Sequence, residues 1–529
     1  MDPGAPTFFA EVREWMNNCF NSHDECGQNG LVKLPARLIQ ISPPGFPEWA
    51  KLSDSHGMEG QYCALSYCWG GDQEHKTLSS RFEQYRKELP CERLPKTIID
   101  AFQVARNMNM EYIWIDSLCI IQDDEEDKQR EIAKMMDIYR DAQFTISAAS
   151  ASKVGRGFLL DPLESRTGLY YHPLHINKDQ IGMAIITPQA SHRIEPLNKR
   201  GWTLQESLLT PRLLVFTDLM AVLKCQRGFQ PNGLVPICRN IFQSRDSQAS
   251  DAWESWYESL GYVQLPSESF RNCPVLPAPG VLQNDLLHNW HSVVEQYTRR
   301  HLTENRDRLP ALSAIARAFA PLIYCPYYAG LWDKTMVYDL TWSVDETSCG
   351  PRFQSAGPSW SWATCGGKPC VYRFSEDIIR AKIVSCKITP VSQSNPYGEV
   401  LAGELVLRGY LQQAWVITGT AFSQLFDKDG NKYPASCFMS DDISSPPLDP
   451  LQACKDDHIE AWCLVLMENP GGAWRTGKNK PESNACTMMV LKKVTEEENV
   501  YRRIGIADAE AEQPPYWWED NGQSTIVVI

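Results

Sequence analysis

The sequence predicts an α/β protein: a mostly parallel sheet with crossover helices, followed by a helical segment and a mainly antiparallel β region at the C-terminal end. Three observations carry this reading. The stretch Tyr112-Ile113-Trp114-Ile115-Asp116-Ser117-Leu118-Cys119-Ile120-Ile121 is an apolar run of the kind found in strands buried on both faces. Apolar strands and amphipathic helical patterns alternate between positions 62 and 151, the order that a parallel sheet with right-handed crossovers requires. Beyond position 340 the texture changes to short β runs separated by turn-rich segments. The implied organisation is an N-terminal extension over 1–60, an α/β domain over 61–220, a linker and helical region over 221–339, and a β-rich region over 340–529.

Taken in order, a short helix is expected from Phe8 to Cys19. Cys19, His23 and Cys26 follow in a C-x3-H-x2-C spacing. A structural zinc normally takes four ligands, and no second pair lies close by in sequence, so packing is the expected role and no metal site is assigned. The segment 62–71 is an apolar strand running into Gly70-Gly71. Pro95 suits a first helical turn, Thr97 and Asp100 have the spacing of a capping box, and Ile98, Phe102 and Ala105 share one helical face. After the central run, Asp123 to Asp127 places negative charge at the positive end of a helix dipole. Ile132, Met135, Met136 and Tyr139 then predict the inward stripe of that helix. Phe144 to Ala151 supplies a third strand, and strand character recurs around Gly182 to Thr187. The segment 200–212 reads as a short helix closed by Pro211, with a strand from Leu213 to Phe216. Pro266, Pro274, Pro277 and Pro279 mark a boundary loop. Helices are expected at 290–301 and 309–320, and strands around 405–407, 462–466, 488–491 and 526–528.

Composition narrows the function classes. At 529 residues the chain exceeds one ordinary core, and 43% hydrophobic residues make it globular. A formal charge of −14 disfavours nucleic acid and anionic lipid as partners, since both select basic faces. No stretch has the length and apolarity of a membrane span, and the first residues lack the basic-then-apolar pattern of a secretory signal, so a cytoplasmic protein is expected. Eighteen cysteines spread thinly, many inside apolar runs, read as reduced thiols. There is no G-x-S-x-G elbow, P-loop, H-E-x-x-H zinc signature or G-x-G-x-x-G dinucleotide loop. Cys119 lies in an apolar run without a neighbouring histidine, which argues against a nucleophile.

Ala64-Leu65-Ser66-Tyr67-Cys68-Trp69-Gly70, Leu94-Pro95-Lys96-Thr97, Trp114-Ile115-Asp116-Ser117-Leu118-Cys119-Ile120 with Gln122-Asp123-Asp124, and Arg200-Gly201-Trp202-Thr203-Leu204-Gln205-Glu206 resemble the ordered motif set of the fungal heterokaryon incompatibility (HET) domain. Segments at 307–312, 329–332 and 358–363 resemble those that follow the domain in full-length members. The resemblance implies a cytoplasmic fungal protein of self/non-self recognition and regulated cell death. It also implies a distant relation to Toll/interleukin-receptor (TIR) domains, hence a flavodoxin/TIR-like sheet and, by way of the TIR domains that cleave it, NAD as a substrate rather than a required cofactor. Trp202 to Glu206 is similar to the TIR segment that opens a helix beside the nucleotide.

Cleaving a nicotinamide–ribose bond passes through an oxocarbenium-like state, which a carboxylate stabilises. Glu206 is the candidate for that role, and it fits equally a helix-local cap or ion pair with Arg200 or Arg212. Asp116 and Ser117, at a strand's carboxyl end, fit binding of ribose or phosphate-adjacent groups, while Asp116 also fits a helix N-cap. Ser66, Tyr67, Trp69 and Gly70 would form the loop on the adjacent strand, and Trp69 and Trp202 fit either ring stacking or core packing. Three functions remain open: a HET-type death effector that cleaves NAD, a scaffold signalling by self-association or with an allelic partner, and a HET-framework enzyme of a small-molecule pathway. In the first, the named residues wall a nucleotide-sized cleft at the sheet's carboxyl edge.

Overall fold

The structure is a computed structural model that describes residues 4–23, 26–27, 30–159, 170–177, 180–186, 194–217, 221–226, 228–229, 281–344, 350–370, 378–417, 424–427, 437–440, 458–469, 484–495, 499–511 and 522–529. The chain divides into two compact units, 1–277 and 278–529. Among the described residues, no helix is long and apolar enough to cross a membrane.

The first unit begins with α1 (Pro6–Ser22), which turns Phe8, Phe9, Val12, Trp15, Met16 and Cys19 inward. Strands β1 (Arg37–Ile41) and β2 (Ala50–Asp54) form a hairpin, and β3 (Cys63–Ser66), α2 (Lys96–Asn107) and β4 (Tyr112–Trp114) complete the first crossover. A one-turn helix α3 (Asp116–Cys119) leads to α4 (Glu125–Asp141) and β5 (Thr145–Ser147). Helix α5 (Thr203–Leu209) precedes β6 (Arg212–Phe216), β7 (Ala221–Cys225) and β8 (Gly228–Phe229). These eight strands make one sheet in the order β8-β7-β6-β5-β3-β4-β1-β2. The pairs β6/β5, β5/β3 and β3/β4 are parallel, and antiparallel hairpins finish both edges.

Numbered along the chain, the four parallel strands lie in the order 2-1-3-4. The direction of winding therefore reverses between β3 and β5, where Ser66 and Ser147 are register partners. In open α/β sheets ligands gather outside the carboxyl ends of the strands at such a switch point. Trp114 and Tyr139, both fully buried, pack edge to face at 5.6 Å between ring centres and tie α4 to the sheet.

Several sequence expectations need correction. The central apolar run is not one long strand: β4 stops at Trp114, and Asp116 opens a helical turn in which its carboxylate accepts the Ser117 N–H at 2.6 Å. This local bond offers the backbone an alternative to the ladder. Thr97 and Asp100 form no capping box, because the helix already starts at Lys96, with Pro95 as its cap residue. Instead Thr97 Oγ1 accepts the Gly157 N–H at 3.2 Å, and Asp100 accepts the N–H groups of Phe158 (2.8 Å) and Leu159 (3.1 Å). On α4 the fully buried positions are Asp127, Glu131, Met135, Ile138 and Tyr139, while Ile132 and Met136 are only half-buried. The helix is rotated from the expected stripe because Arg37, reaching from β1, draws Asp127 inward at 2.5 Å.

In the second unit, α6 (Val281–Thr298) and α7 (Pro310–Ile323) are followed by the long strands β9 (Lys382–Pro390), β10 (Val400–Ile417), β11 (His458–Asn469), β12 (Asn484–Lys493), β13 (Val500–Ala511) and β14 (Gln523–Val528). The sheet is antiparallel except for β13/β14, as the sequence texture predicts. Residues 405–410 of β10 pair with β14 and residues 411–417 pair with β11, so β11-β12-β13-β14-β10 closes on itself. Closure hides ladder edges that an open sheet would expose. Small and flexible side chains, among them Ala414, Ala461, Cys463, Cys486, Met488 and Ala507, form a buried hydrophobic cluster on this sheet. Trp290, Trp332, Trp342, Trp360 and Trp362 are all fully buried, which assigns Trp360 and Trp362 to the core. Trp517 and Trp518, and the proline-rich boundary up to position 280, lie outside the described residues.

Candidate functional site

Three pairs of hydrogen-bonded side chains assemble at the carboxyl edge of the parallel strands. Ser66 ends β3, and its hydroxyl donates to Glu206 Oε2. Glu206 sits in the first turn of α5, 7% exposed. The helix N-terminus favours a carboxylate there. The Tyr67 hydroxyl donates to Ser117 Oγ at 2.7 Å and accepts from Gln73 Nε2 at 2.9 Å. The Trp69 indole N–H donates to Asp116 Oδ2 at 2.9 Å. Residues from β3, α3 and α5, more than 130 positions apart at the extremes, thus converge where the sheet reverses its winding.

Backbone contacts hold these groups in place. The loop after β3 is latched to α3 by Thr77 N–H on the Ser117 carbonyl (2.9 Å) and Thr77 Oγ1 on the Leu118 carbonyl (2.7 Å). Gly70 has φ +70, and a Cβ there would meet Lys153 Cβ at 2.2 Å and its Cα at 2.6 Å. Only glycine lets the loop press so closely on the 152–154 segment. Arg200 reaches back to the Tyr67 carbonyl at 2.5 Å.

The electrostatics are those of a buried polar site. Burial pushes the Asp116 carboxyl up, opposed by the Arg200 charge and by hydrogen bonds from Trp69, the Ser117 N–H and Tyr67. Burial also raises the Tyr67 hydroxyl well above its ordinary value, reinforced by the charge of Asp116. Tyr139, whose hydroxyl lies 3.4 Å from the Leu65 carbonyl, is raised by burial and then by Glu206 and Asp116. The Cys68 thiol is likewise raised by burial, between the opposing charges of Arg200 and Glu206. Clustered perturbation of this kind is typical of functional sites.

Residues 62–206 match the model of the heterokaryon incompatibility protein (HET) family. The chain carries a HET domain. The match opens one residue before β3 and closes on Glu206, so it spans every residue of the carboxyl-edge cluster. A HET domain implies a function of the heterokaryon incompatibility type. No curated protein matches the chain, and no solved structure does.

Of the residues singled out from sequence, Ser66, Tyr67, Trp69, Asp116, Ser117 and Glu206 meet in the HET domain's cluster, and Gly70 shapes its loop. Trp202 stands half-buried just before α5. Asp116 is the first residue of α3 rather than its N-cap. Arg212 does not pair with Glu206; its guanidinium donates to the carbonyls of Cys26, Gly27 and Gln143. Gln73 and Ser147 were not singled out, although Gln73 bonds Tyr67 and the buried Ser147 stands beside Ser66. Gln73 lies in a loop without periodicity, and Ser147 reads as one of several small residues ending a strand. Neither carries a sequence signal, because what selects them is strand order.

Proposed function

We propose that this protein is an effector of self/non-self recognition and regulated cell death, and that its HET domain acts by hydrolysing NAD at the nicotinamide–ribose bond. The observation that carries the reading is Glu206: a buried carboxylate held by Ser66 at the switch point of a 2-1-3-4 parallel sheet, the strand order of flavodoxin-like nucleotide folds. In this reaction the bond between ribose C1′ and the nicotinamide nitrogen breaks. Its electron pair stays with the ring, neutral nicotinamide leaves, and positive charge develops at C1′. Glu206 stabilises that charge, water adds at C1′, and one proton is released with ADP-ribose. Because the ring nitrogen already carries positive charge, the leaving group needs no general acid.

Asp116 and Ser117 offer acceptors and a donor to the ribose hydroxyls, and half-buried Trp69 offers an aromatic surface to a ring. NAD is the substrate, so no resident cofactor enters the scheme. Association with a second copy or with an allelic partner in the cytoplasm supplies the trigger.

The test is direct. Purified full-length protein is incubated with NAD, alone and cross-linked into oligomers, and nicotinamide and ADP-ribose are quantified. Glu206→Gln keeps an acceptor for Ser66 and is expected to lower turnover by at least about 100-fold. Ser66→Ala, which removes one hydrogen bond to a charged group, should cost about tenfold. No nicotinamide release in either state, or full activity in Glu206→Gln, overturns the reading.

A further inference from the structure

We propose that Cys19, His23, Cys26 and Cys225 bind one zinc ion in a closed, four-coordinate structural site. The sequence offered only the first three and lacked a fourth. The fold supplies it: Cys225, the last residue of β7, comes to the same place, and one ligand atom from each of the four lies within 4.8 Å of all the others.

The geometry is that of a site ready for a metal. Zinc–sulfur bonds of about 2.3 Å and zinc–nitrogen bonds of about 2.0–2.1 Å give tetrahedral ligand–ligand edges of about 3.5–3.8 Å. His23 Nδ1 lies 3.5 Å from Cys225 Sγ and 3.9 Å from Cys26 Sγ. Cys19 and His23 are four residues apart at the end of α1, on one face, and the turn to Cys26 is closed by its N–H on the His23 carbonyl at 3.1 Å. Cys19, Cys26 and Cys225 are buried thiols, at most 3% exposed, and none is oxidised to a disulfide. Three sulfurs and an imidazole cannot all be satisfied by one disulfide, whereas a single tetrahedral ion takes all four.

The surroundings suit the charge of such a centre. Three thiolates on Zn²⁺ leave one net negative charge, and the Arg212 guanidinium stands beside it, stacked 3.7 Å above the Phe20 ring. Arg212 donates to the Cys26 carbonyl at 3.0 Å and to the Gly27 carbonyl at 2.7 Å, fixing the ligand turn as outer contacts commonly do. Soft sulfur and imidazole donors select zinc over magnesium, calcium or manganese. With no ligand position left open, the role is to staple α1 to the β6–β7 hairpin. Cys225 pairs in register with Arg212, the first residue of β6, so this site lies at the amino edge of the parallel strands, away from the Glu206 cluster.

Full-length protein purified under reducing conditions without chelator is assayed for metal by mass spectrometry. About one zinc per chain is expected, with Cys225→Ser and Cys26→Ser holding little and Cys91→Ser, a cysteine outside the cluster, holding the full amount. Apo protein titrated with Co²⁺ should show the visible bands of a tetrahedral thiolate complex, which zinc displaces. Should the variants fail to fold, alkylation of the wild type replaces them: Cys19, Cys26 and Cys225 should be protected until the metal is chelated. Wild-type protein that holds no zinc and gives no Co²⁺ bands, zinc retained in Cys225→Ser, or a disulfide among these cysteines in the freshly reduced chain would each overturn the proposal.

Discussion

Asp127→Ala tests whether the turn that presents Asp116 and Ser117 is held by one buried carboxylate. Asp127 is 1% exposed and accepts three donors: Arg37 at 2.5 Å, the Ile121 N–H at 2.9 Å, and Arg130. Arg37, 11% exposed, also donates through Nε to the Cys119 carbonyl at 2.7 Å, so the pair clamps both ends of the segment after α3. Truncation leaves an orphaned N–H, costing about 1–3 kcal/mol. It also leaves an unpaired guanidinium, for which breaking a fully buried pair costs about 3–5 kcal/mol. Arg37 keeps its carbonyl partner and some access to water, so the second term falls at the low end and the expected total is about 4 kcal/mol. Asp127→Asn keeps an acceptor for Ile121 and should cost about half as much.

Native-state hydrogen exchange on peptides spanning 112–141, together with chemical denaturation, measures the loss. The sign of the pH dependence is fixed. The Asp127 carboxyl is pushed up by burial but more strongly held down by Arg37, the Ile121 N–H and Arg130, so its net shift is downward. Its stabilisation is therefore present above the ordinary aspartate value of about 3.9 and is lost as pH falls through the lowered folded value. The gap between wild type and Asp127→Ala should stay constant from neutral pH to about 5 and narrow in strong acid. A loss below about 1 kcal/mol, or a gap that widens in acid, would refute the clamp.

Asp116→Asn should show the opposite pH trend. Burial raises the Asp116 carboxyl, so its favourable contribution is complete below about pH 3.9 and is lost as pH rises through the raised folded value. Melting curves from pH 4 to 8 should move the stability difference steadily towards the variant; a flat difference would mean that the carboxyl is solvated. In the second unit, Gly330→Ala should destabilise by about 3 kcal/mol, combining a backbone penalty with overpacking. Gly330 has φ +101, and a Cβ there would lie 2.5 Å from Trp362 Nε1, whose N–H also donates to the Gly330 carbonyl. A denaturation midpoint unchanged in Gly330→Ala would show that Trp362 yields freely.

The order of strands and helices between 62 and 216 was readable because it rests on local periodicity: α4 and the apolar cores of β3, β4 and β6 repeat their patterns over several residues. What escaped depends on partners far along the chain. The inward face of α4 carries Asp127, which pattern reading places in solvent, because its countercharge Arg37 comes from a different strand. β4 ends early because Asp116 satisfies its neighbour's N–H, a choice that hydrophobicity does not encode. The ring closure of the second unit depends on β10 changing partner between Tyr410 and Leu411, which no local signal marks. Within the candidate site, motif identity named most members but not their pairings. That Ser66 meets Glu206, 140 positions further along the chain, is a long-range contact that no local pattern marks.

The carboxyl ends of the central strands hold a buried acidic side chain at a cost to stability, and this is a physical reason to look for chemistry there. At the amino end, Arg212 has carbonyl partners and lies over an aromatic ring. On the flank, Asp127 is held ionised by neighbours that outweigh its burial. At the carboxyl end burial dominates at Asp116, Tyr67 and Tyr139, as it does at Tyr62 at the amino end, but Asp116 is an acidic side chain that burial shifts towards the neutral form. A sheet shaped for stability alone would replace such groups with apolar ones, as buried polar networks often allow at little cost. Retaining acidic groups there sacrifices stability for a pre-formed polar surface, which is the trade expected of a site that binds or transforms a ligand. Asp116→Asn separates the two explanations through turnover: burial alone predicts greater relative stability at neutral pH in either case, whereas a functional carboxylate predicts loss of NAD turnover and a structural one predicts turnover retained.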